Sequence, residues 1–579
     1  MRAGEVLVEG GWGLPSRLYH SARFAPYIHG MPASAQPPQS PGSVRRHLVP
    51  AEVEVLVVGA GPAGLTAAIE LARRGVSCAV VDRRDVPRPG TRGCTVWQRT
   101  LEIFDLMGLP VADYQSDSVT FENRVYHVLD QDPITVGMGQ PGTRFPLPLL
   151  VGQQVTEAML ARHLEGLGVT VARGVKATSV AESGSRVRVE LTTADGVEQA
   201  TWASWVVVAE GSHSTLRASL GIPWTSTHFP GALLQVDAFV DGRLPGSPAD
   251  AHLFLGLGGT FGSLPLPDGR RRLFLSVPDR DPGVLDDPPI AEIEPLVRTF
   301  LGQPSVRLVG GQFNWRVRFH NSISESFRVG RCLLIGDSAR TFVPVAAQGM
   351  NTGIQDAFNL GWKLAAVVRG RAGQTLLSSY AAERQPVAVD ALNRAEQGLW
   401  AGTRKPPPIQ KVVEGIHRQR TTRTALALSY QAGPLATDTL DPGDPMAGNR
   451  APDVLAADGS RAGALYPRLR HGGWTLLVFP PAPEPHVDPQ PGPDIPVASR
   501  IGEVASGYPD SVRVLLMGEA RVPAHVNAER FADPGGTARG AYRANGGALC
   551  LVRPDGHIGF RGGLDAGQDL IRYLRHVAA

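Results

Sequence analysis

Gly59, Gly61 and Gly64 fall at G-x-G-x-x-G spacing within residues 53–82, VEVLVVGAGPAGLTAAIELARRGVSCAVVD, and Asp82 closes the stretch. In such a pattern the first glycine permits a tight turn, the second lets backbone approach a pyrophosphate, and the third lets a helix pack close on a sheet. The helix N-terminus adds free N–H groups and the positive end of its dipole. Gly59, Gly61, Pro62, Ala63 and Gly64 are therefore the candidate phosphate-binding turn, and Asp82 the candidate acceptor for both hydroxyls of a ribose. An acid there repels a 2′-phosphate, although Arg83, itself a candidate cofactor-binding residue, and Arg84 follow it directly. The fingerprint on its own does not choose between FAD and NAD.

The elements that must position these residues are readable around them. Val53, Val55, Leu56, Val57 and Val58 make the short β-branched run of a strand buried on both faces of a parallel sheet. Leu65, Ala68, Ile69 and Ala72 recur at helical spacing until Gly75, and residues 76–81 return as a second strand. The 579 residues suggest about two to four domains in an α/β protein. With 42% hydrophobic residues, 19% charged residues and a net charge of +3, composition points neither to nucleic acid nor to an anionic membrane. No apolar run approaches the ~18 residues of a membrane span. Cys78, Cys94, Cys332 and Cys550 show no C-x-x-C and no metal spacing, so no metal is expected and reduced thiols suit a cytoplasmic protein. Residues 1–51 lack a secretory signal, turn rich in Pro, Ser, Ala and Gln after Met31, and are expected to be a disordered extension.

Four further segments carry a resemblance. GTRGCTVWQRTLEIF (90–104) resembles the R-(A/G)-x-x-x-x-x-R-T-L-E segment of the FAD-dependent aromatic hydroxylases built like para-hydroxybenzoate hydroxylase, which implies that Arg92 and Arg99 lie along FAD. Residues 147–168 are similar to that family's Q-x-x-(T/L)-E-x-x-L segment, which implies Gln153 near the flavin. AEGSHSTLRASLGI (209–222) resembles its D-G-x-x-S-x-x-R motif, implying that Glu210, in place of Asp, and Arg217 bridge FAD and a transient NAD(P)H site. Residues 331–369, RCLLIGDSARTFVPVAAQGMNTGIQDAFNLGWKLAAVVR, resemble the signature G-D-A-A-H-x-x-x-P-x-G-G-Q-G-M-N-T-G. There Gly336 and Asp337 would meet the ribityl chain, whose hydroxyls NAD lacks. Gly349, Met350 and Asn351 would place a helix N-terminus at the flavin pyrimidine, where it stabilises negative charge. Pro344 would lie beside the reacting edge of the ring. Ser338 and Arg340 replace the usual Ala and His, and Ala346 and Ala347 the usual Gly-Gly, next to the loop facing flavin C4a. Pro344 and Arg340 are accordingly the candidate catalytic residues.

The resemblance covers nearly everything from Val53 onward. It implies a Rossmann-like FAD-binding domain with an inserted substrate-binding β-sheet domain, plus a C-terminal thioredoxin-like α/β domain. The expected divisions are 52–223 and 319–400 for the FAD domain, 224–318 for the substrate sheet, 401–447 for a helix and linker, and 448–579 for the C-terminal domain. That last domain lacks C-x-x-C, so packing or dimerisation is its expected role. Trp315, Arg316 and Phe313 are plausible pocket lining, while His320 reads as an ordinary sheet histidine. The implied activity is hydroxylation of an aromatic, phenolic or polyketide-like small molecule, using FAD, transient NAD(P)H and O2 by way of a C4a-hydroperoxyflavin. The alternatives are a flavin protein of the same fold that inserts no oxygen, and Baeyer–Villiger oxidation of a polyketide. The expected assembly is a monomer or homodimer without nucleic-acid or membrane partners.

Overall fold

The computed structural model describes residues 49–577 apart from 88–92, 129–130, 245–246, 248, 257–258, 278–286, 345–346, 404–413, 416–421, 444, 455–463, 483–497, 509–510 and 519–525. The glycine fingerprint folds as strand β1 (Glu52–Val58), helix α1 (Pro62–Ala72) and strand β2 (Cys78–Asp82), with β1 parallel to β2. Val55, Leu56, Val57 and Val58 are buried, as a strand covered on both faces requires. Helices α2 (Gln98–Leu106) and α3 (Gln153–Gly166) follow, then strand β3 (Glu198–Val208), the other parallel neighbour of β1. Residues 175–193, where apolar and polar side chains alternate in VRVEL, form an antiparallel hairpin, Val175–Ser183 with Arg186–Thr193, laid on the first half of β3. Of the extension expected to be disordered, 49–51 are described and anchored. The carbonyls of Val49, Pro50 and Ala51 accept hydrogen bonds from Gln199 (2.5 Å), Thr201 (3.1 Å) and the Trp202 N–H (2.8 Å).

Strands β4 (Trp224–Asp241) and β5 (Arg307–Ser324) pair antiparallel inside a second sheet of eight strands. That sheet exceeds the expected 224–318, because Asn123–Val128 and Ile134–Gly137 join one edge and Arg340–Thr341 the other. The parallel partner of Asn123–Val128 is Ala251–Gly256, far along the chain, so local pattern could not announce the pairing. Residues in register share a face. Trp315, Gln235, Phe274, Gly262, Leu253 and Tyr126 therefore form one row across the sheet. On the opposite face Leu234, Val236, Phe261, Leu273 and Leu275 pack with Ile293 and Val297 of the helix Ile290–Leu301.

Strand β6 (Cys332–Leu334) re-enters the first sheet beside β3, and the long helices α4 (Gly349–Val368) and α5 (Thr375–Thr403) follow. The C-terminal sheet holds β7 (Trp474–Phe479), β8 (Val512–Met517), β9 (Ala548–Val552) and β10 (Ile558–Gly562), closed by helix α6 (Gly567–Val577). Its order is Thr437–Asp438, β10, β9, β7, β8, Ala528–Phe531. Thr437–Asp438, expected in the linker, thus extends this sheet. Among the described residues no helix is long and apolar enough to cross a membrane, and no group of His, Cys, Asp and Glu is arranged to hold a metal ion.

Candidate functional site

One cleft runs from the fingerprint to the start of α4. Its lining includes Gly59, Gly61, Pro62, Ala63, Asp82, Arg83, Gln153, Glu210, Gly336, Asp337, Pro344, Gly349 and Met350. At Gly59 φ is +110°, and a Cβ would stand 2.2 Å from the Ala209 carbonyl oxygen. A Cβ on Gly64 would stand 1.8 Å from the Gly59 oxygen, so these two glycines serve the packing of α1 on the sheet. Gly61 is different: nothing lies within 4 Å of where its Cβ would be, leaving open space over the start of α1. The Asp82 carboxylate is held by the N–H groups of Ala60 (2.8 Å) and Arg84 (2.9 Å), which fixes it at the end of β2.

The second half of the cleft is built from small residues in contact. Gly336 has φ +58°, and a Cβ there would meet the Ala63 Cβ at 3.1 Å. Gly353 of α4 lies against the same pair. The Gly336 N–H donates to Asp356 of α4 at 3.2 Å, and the next residue, Asp337, is exposed to the cleft. Gln153 accepts from the Gly93 N–H (3.3 Å) and donates to Glu157 (2.8 Å), whose carboxyl burial pushes up. Glu210 accepts from the Ser214 hydroxyl (2.5 Å) and the Leu216 N–H (2.9 Å), bracing the start of the helix Thr215–Ser219; burial pushes its carboxyl up as well. Ser338 exchanges hydrogen bonds with the Gly211 backbone, accepting at 3.0 Å and donating at 3.3 Å.

Four expected site residues do not line the cleft with their side chains. Arg99 is 2% exposed and is committed to Glu102 (2.8 Å), Tyr466 (3.3 Å) and the Asp555 carbonyl (2.6 Å), so it ties α2 to the C-terminal unit. Arg340, one of the two expected catalytic residues, is buried. It pairs with Asp356 and donates to the Gly336 carbonyl at 3.1 Å, which makes it a brace. Arg217 lies over the Trp224 ring at 3.7 Å and donates to the carbonyls of Ser212 (2.8 Å) and Ser338 (3.2 Å). The Asn351 side chain accepts from the Trp97 N–H (3.0 Å) and Thr100 (2.8 Å) and donates to the carbonyls of Thr95 and Ala347 (both 2.9 Å). It seats the first turn of α4 with its side chain turned inward. Arg92 lies outside the described residues. Residues without a site role in the sequence also line the cleft: Glu157, Arg173, Lys176 and Val317, together with His320, which read as an ordinary sheet histidine. Only Glu157 had a local signal, one helical turn after Gln153.

These observations suit a long dinucleotide better than a short ligand, because a phosphate-type turn and an acid-ended strand meet a second turn and helix start in the same cleft. The FAD binding domain family matches residues 52–395. The chain belongs to that family. Among its relatives, 6-methylpretetramide 4-monooxygenase of Streptomyces rimosus is 32% identical over 540 residues, 88% of this chain and 90% of that protein. Pentachlorophenol 4-monooxygenase of Sphingobium chlorophenolicum is 27% identical over 90% of this chain and 96% of its own length. The structure of aklavinone-11 hydroxylase with FAD and aklavinone superposes with a TM-score of 0.73 at 25% identity, covering 92% of this chain and 100% of that one. The chain is thus a flavoprotein monooxygenase with the fold of the para-hydroxybenzoate hydroxylase-like enzymes, with FAD as cofactor and NAD(P)H as co-substrate.

Proposed function

We propose that this enzyme hydroxylates a phenolic or polyketide-like polycyclic aromatic molecule lying between Pro344 and the sheet face that carries Trp315 and Val317. The observation that carries this reading is the single cleft joining both nucleotide-type turns to that face. The relatives named above act on a pretetramide, a chlorinated phenol and aklavinone, which supports the substrate class.

Bound FAD supplies the redox chemistry, taking reducing equivalents from NAD(P)H and activating O2 toward an electron-rich ring. The chain's own residues bind, orient and exclude. The start of α1 at Gly61, Pro62 and Ala63 would hold the diphosphate, Asp82 the ribose and Asp337 the ribityl hydroxyls. The free N–H groups at the start of α4 would face the pyrimidine and favour negative charge there. Trp315, Val317, Val343 and Pro344 would keep water from the reacting edge. His320 lines the same cleft, and its Nδ1 lies 3.2 Å from the Arg318 carbonyl, which can only accept. Nδ1 therefore carries the proton, and Nε2 is the nitrogen that can take one from a phenolic hydroxyl. The strand order β8, β7, β9, β10, with β7 and β8 parallel and the others antiparallel, supports the thioredoxin-like reading of the C-terminal unit.

The decisive experiment follows NADPH and O2 consumption by the purified yellow protein with a panel of polycyclic phenols, and weighs the products. A ring product heavier by one oxygen supports the reading. A lactone or ester from a ketone points to Baeyer–Villiger oxidation, and bound FAD without any consumption points to a protein that inserts no oxygen.

A further inference from the structure

The C-terminal unit meets the cofactor-binding part at several points, among them Arg450 on Glu102, Arg470 on Asp105 and Trp474 on Trp362, and one turn meets three helices at once. Between β9 and β10 the chain reverses through residues 553–557, closed by the Arg553 N–H to the His557 carbonyl at 2.7 Å. Gly556 has φ +75°, and a Cβ there would stand 3.2 Å from Leu106 and 3.3 Å from Arg99, so α2 comes close. This turn touches three helices. Arg99 of α2 donates to the Asp555 carbonyl at 2.6 Å, and Trp362 of α4 to the Asp555 carboxylate at 3.1 Å. Arg553 grips Glu383 of α5 with both guanidinium ends, at 2.6 and 2.9 Å. Arg553 and Asp555 are 1% and 2% exposed.

Two relays lead from this turn to the cleft. Glu383 also accepts from Lys363 of α4 at 2.7 Å, and its neighbour Arg384 donates to Asp356 Oδ1 (2.7 Å) and to the Thr352 carbonyl (3.3 Å). The other oxygen of Asp356 receives the Gly336 N–H, one residue before the cleft-facing Asp337. On the second route, α2 carries Arg99 and also Thr100, which binds Asn351 in the first turn of α4. Glu383 lies between two cations, as does Asp356, and a buried charge that loses its partner has no water to turn to. Such an arrangement has one register.

We propose that the turn 553–557 is a positioning element of the flavin site. Through Glu383 and Arg384 it sets Asp356 and with it the turn at Gly336 and Asp337, and through Arg99 it seats the start of α4. The C-terminal unit is then needed to retain the cofactor, beyond covering apolar surface. This rests on the assignment of Gly336 and Asp337 to the flavin.

The test is a double-substitution cycle in the full-length protein, with Asp555→Asn and Asp356→Asn made singly and together. The FAD dissociation constant and the shape of the visible flavin band are read in each. Asp555→Asn is expected to weaken FAD about tenfold and to change the band. The double variant is expected to fall short of the product of the two single losses by about threefold or more, since both act on one relay. Multiplicative losses, or wild-type affinity in Asp555→Asn, would overturn the proposal. Arg572→Ala, in the exposed pair with Asp569 on α6, is the control and should bind FAD as the parent does; an equal loss there also overturns it. Should Asp555→Asn fail to fold, Arg553→Lys decides, because it keeps the charge but not the two-pronged grip on Glu383. Weaker FAD with an unchanged apoprotein melting temperature supports the proposal, and unchanged affinity with an unchanged band overturns it. A parent protein that takes up no FAD refutes the site assignment instead.

Discussion

Ser338, Arg340 and Glu210 stand where the family's motifs carry Ala, His and Asp, and each has taken up a bond of its own. Ser338 links its turn to Gly211, Arg340 pairs with Asp356, and the longer Glu210 still reaches the start of the helix Thr215–Ser219. Such departures read as braced variants of the site. Ala347 is the exception, since it adopts φ +52° where the family has glycine. Ala347→Gly should relieve about 1–2 kcal/mol of left-handed strain against roughly 0.5–1 kcal/mol of added chain entropy. Thermal melting is therefore expected to rise slightly, and a clear fall would refute the strain. Gly61→Ala separates folding from binding, because its methyl meets open space in the fold but lies where the diphosphate is expected. That variant should melt like the parent apoprotein and purify without colour; a yellow Gly61→Ala protein would move the phosphate site elsewhere. His320→Gln should lower kcat on a phenol roughly 10²-fold near neutral pH with FAD affinity intact. An unchanged kcat would return His320 to the status of an ordinary sheet residue.

At the scale of elements, α4 is the member on which the rest converge. Small residues let it approach its neighbours: Gly353 faces Gly336 and Ala63, and a Cβ on Gly361 would stand 2.4 Å from the Glu70 Cβ of α1. Its polar residues are buried with partners, Asn359 and Lys363 on Glu383 and Asp356 on Arg384. Burial alone would push the Glu383 carboxyl up, but Arg553 and Lys363 outweigh it and hold it at about 2, below the ordinary 4.5. A carboxyl depressed on folding contributes stability that is complete above its unfolded value and disappears as pH falls through the folded one. The melting temperature is therefore expected to drop between pH 4.5 and about 2 in step with the joint between α5 and the C-terminal unit, followed by tryptophan fluorescence of Trp362 and Trp474. A flat profile across that window would show that the buried charges carry no such linkage. The resemblance implied a helix starting at residues 349–351, whereas the identity of the partners was not legible, because Glu383 and Asp555 come from later segments.

Across the described residues the strands form four separate sheets, three large ones and a small one of Thr95–Val96, Leu149–Leu150 and Val119–Thr120. Burial pushes the thiols of Cys332 and Cys550 up to about 12, and Cys94 is raised as well. Native protein is expected to react slowly with thiol reagents at pH 8 and rapidly once denatured, as a labelling time course would record. Rapid native labelling of Cys332 or Cys550 would place that residue in a looser interior than this fold has. The sequence by itself determined the G-x-G-x-x-G turn and the α/β class, because glycine spacing, strand and helix periodicity and an acid at a strand end are local demands on a few consecutive residues; the choice of FAD rested on the resemblance of residues 331–369 to a family signature. Only the tertiary structure decided that Arg99 and Arg340 are buried against carboxylates away from the cleft, that residues 123–128 complete the second sheet, and that the turn 553–557 meets α2, α4 and α5 together. A guanidinium's partner is whichever carboxylate or carbonyl the packing brings within about 3 Å. For Arg99 that carbonyl belongs to Asp555, in a domain no local pattern connects to it.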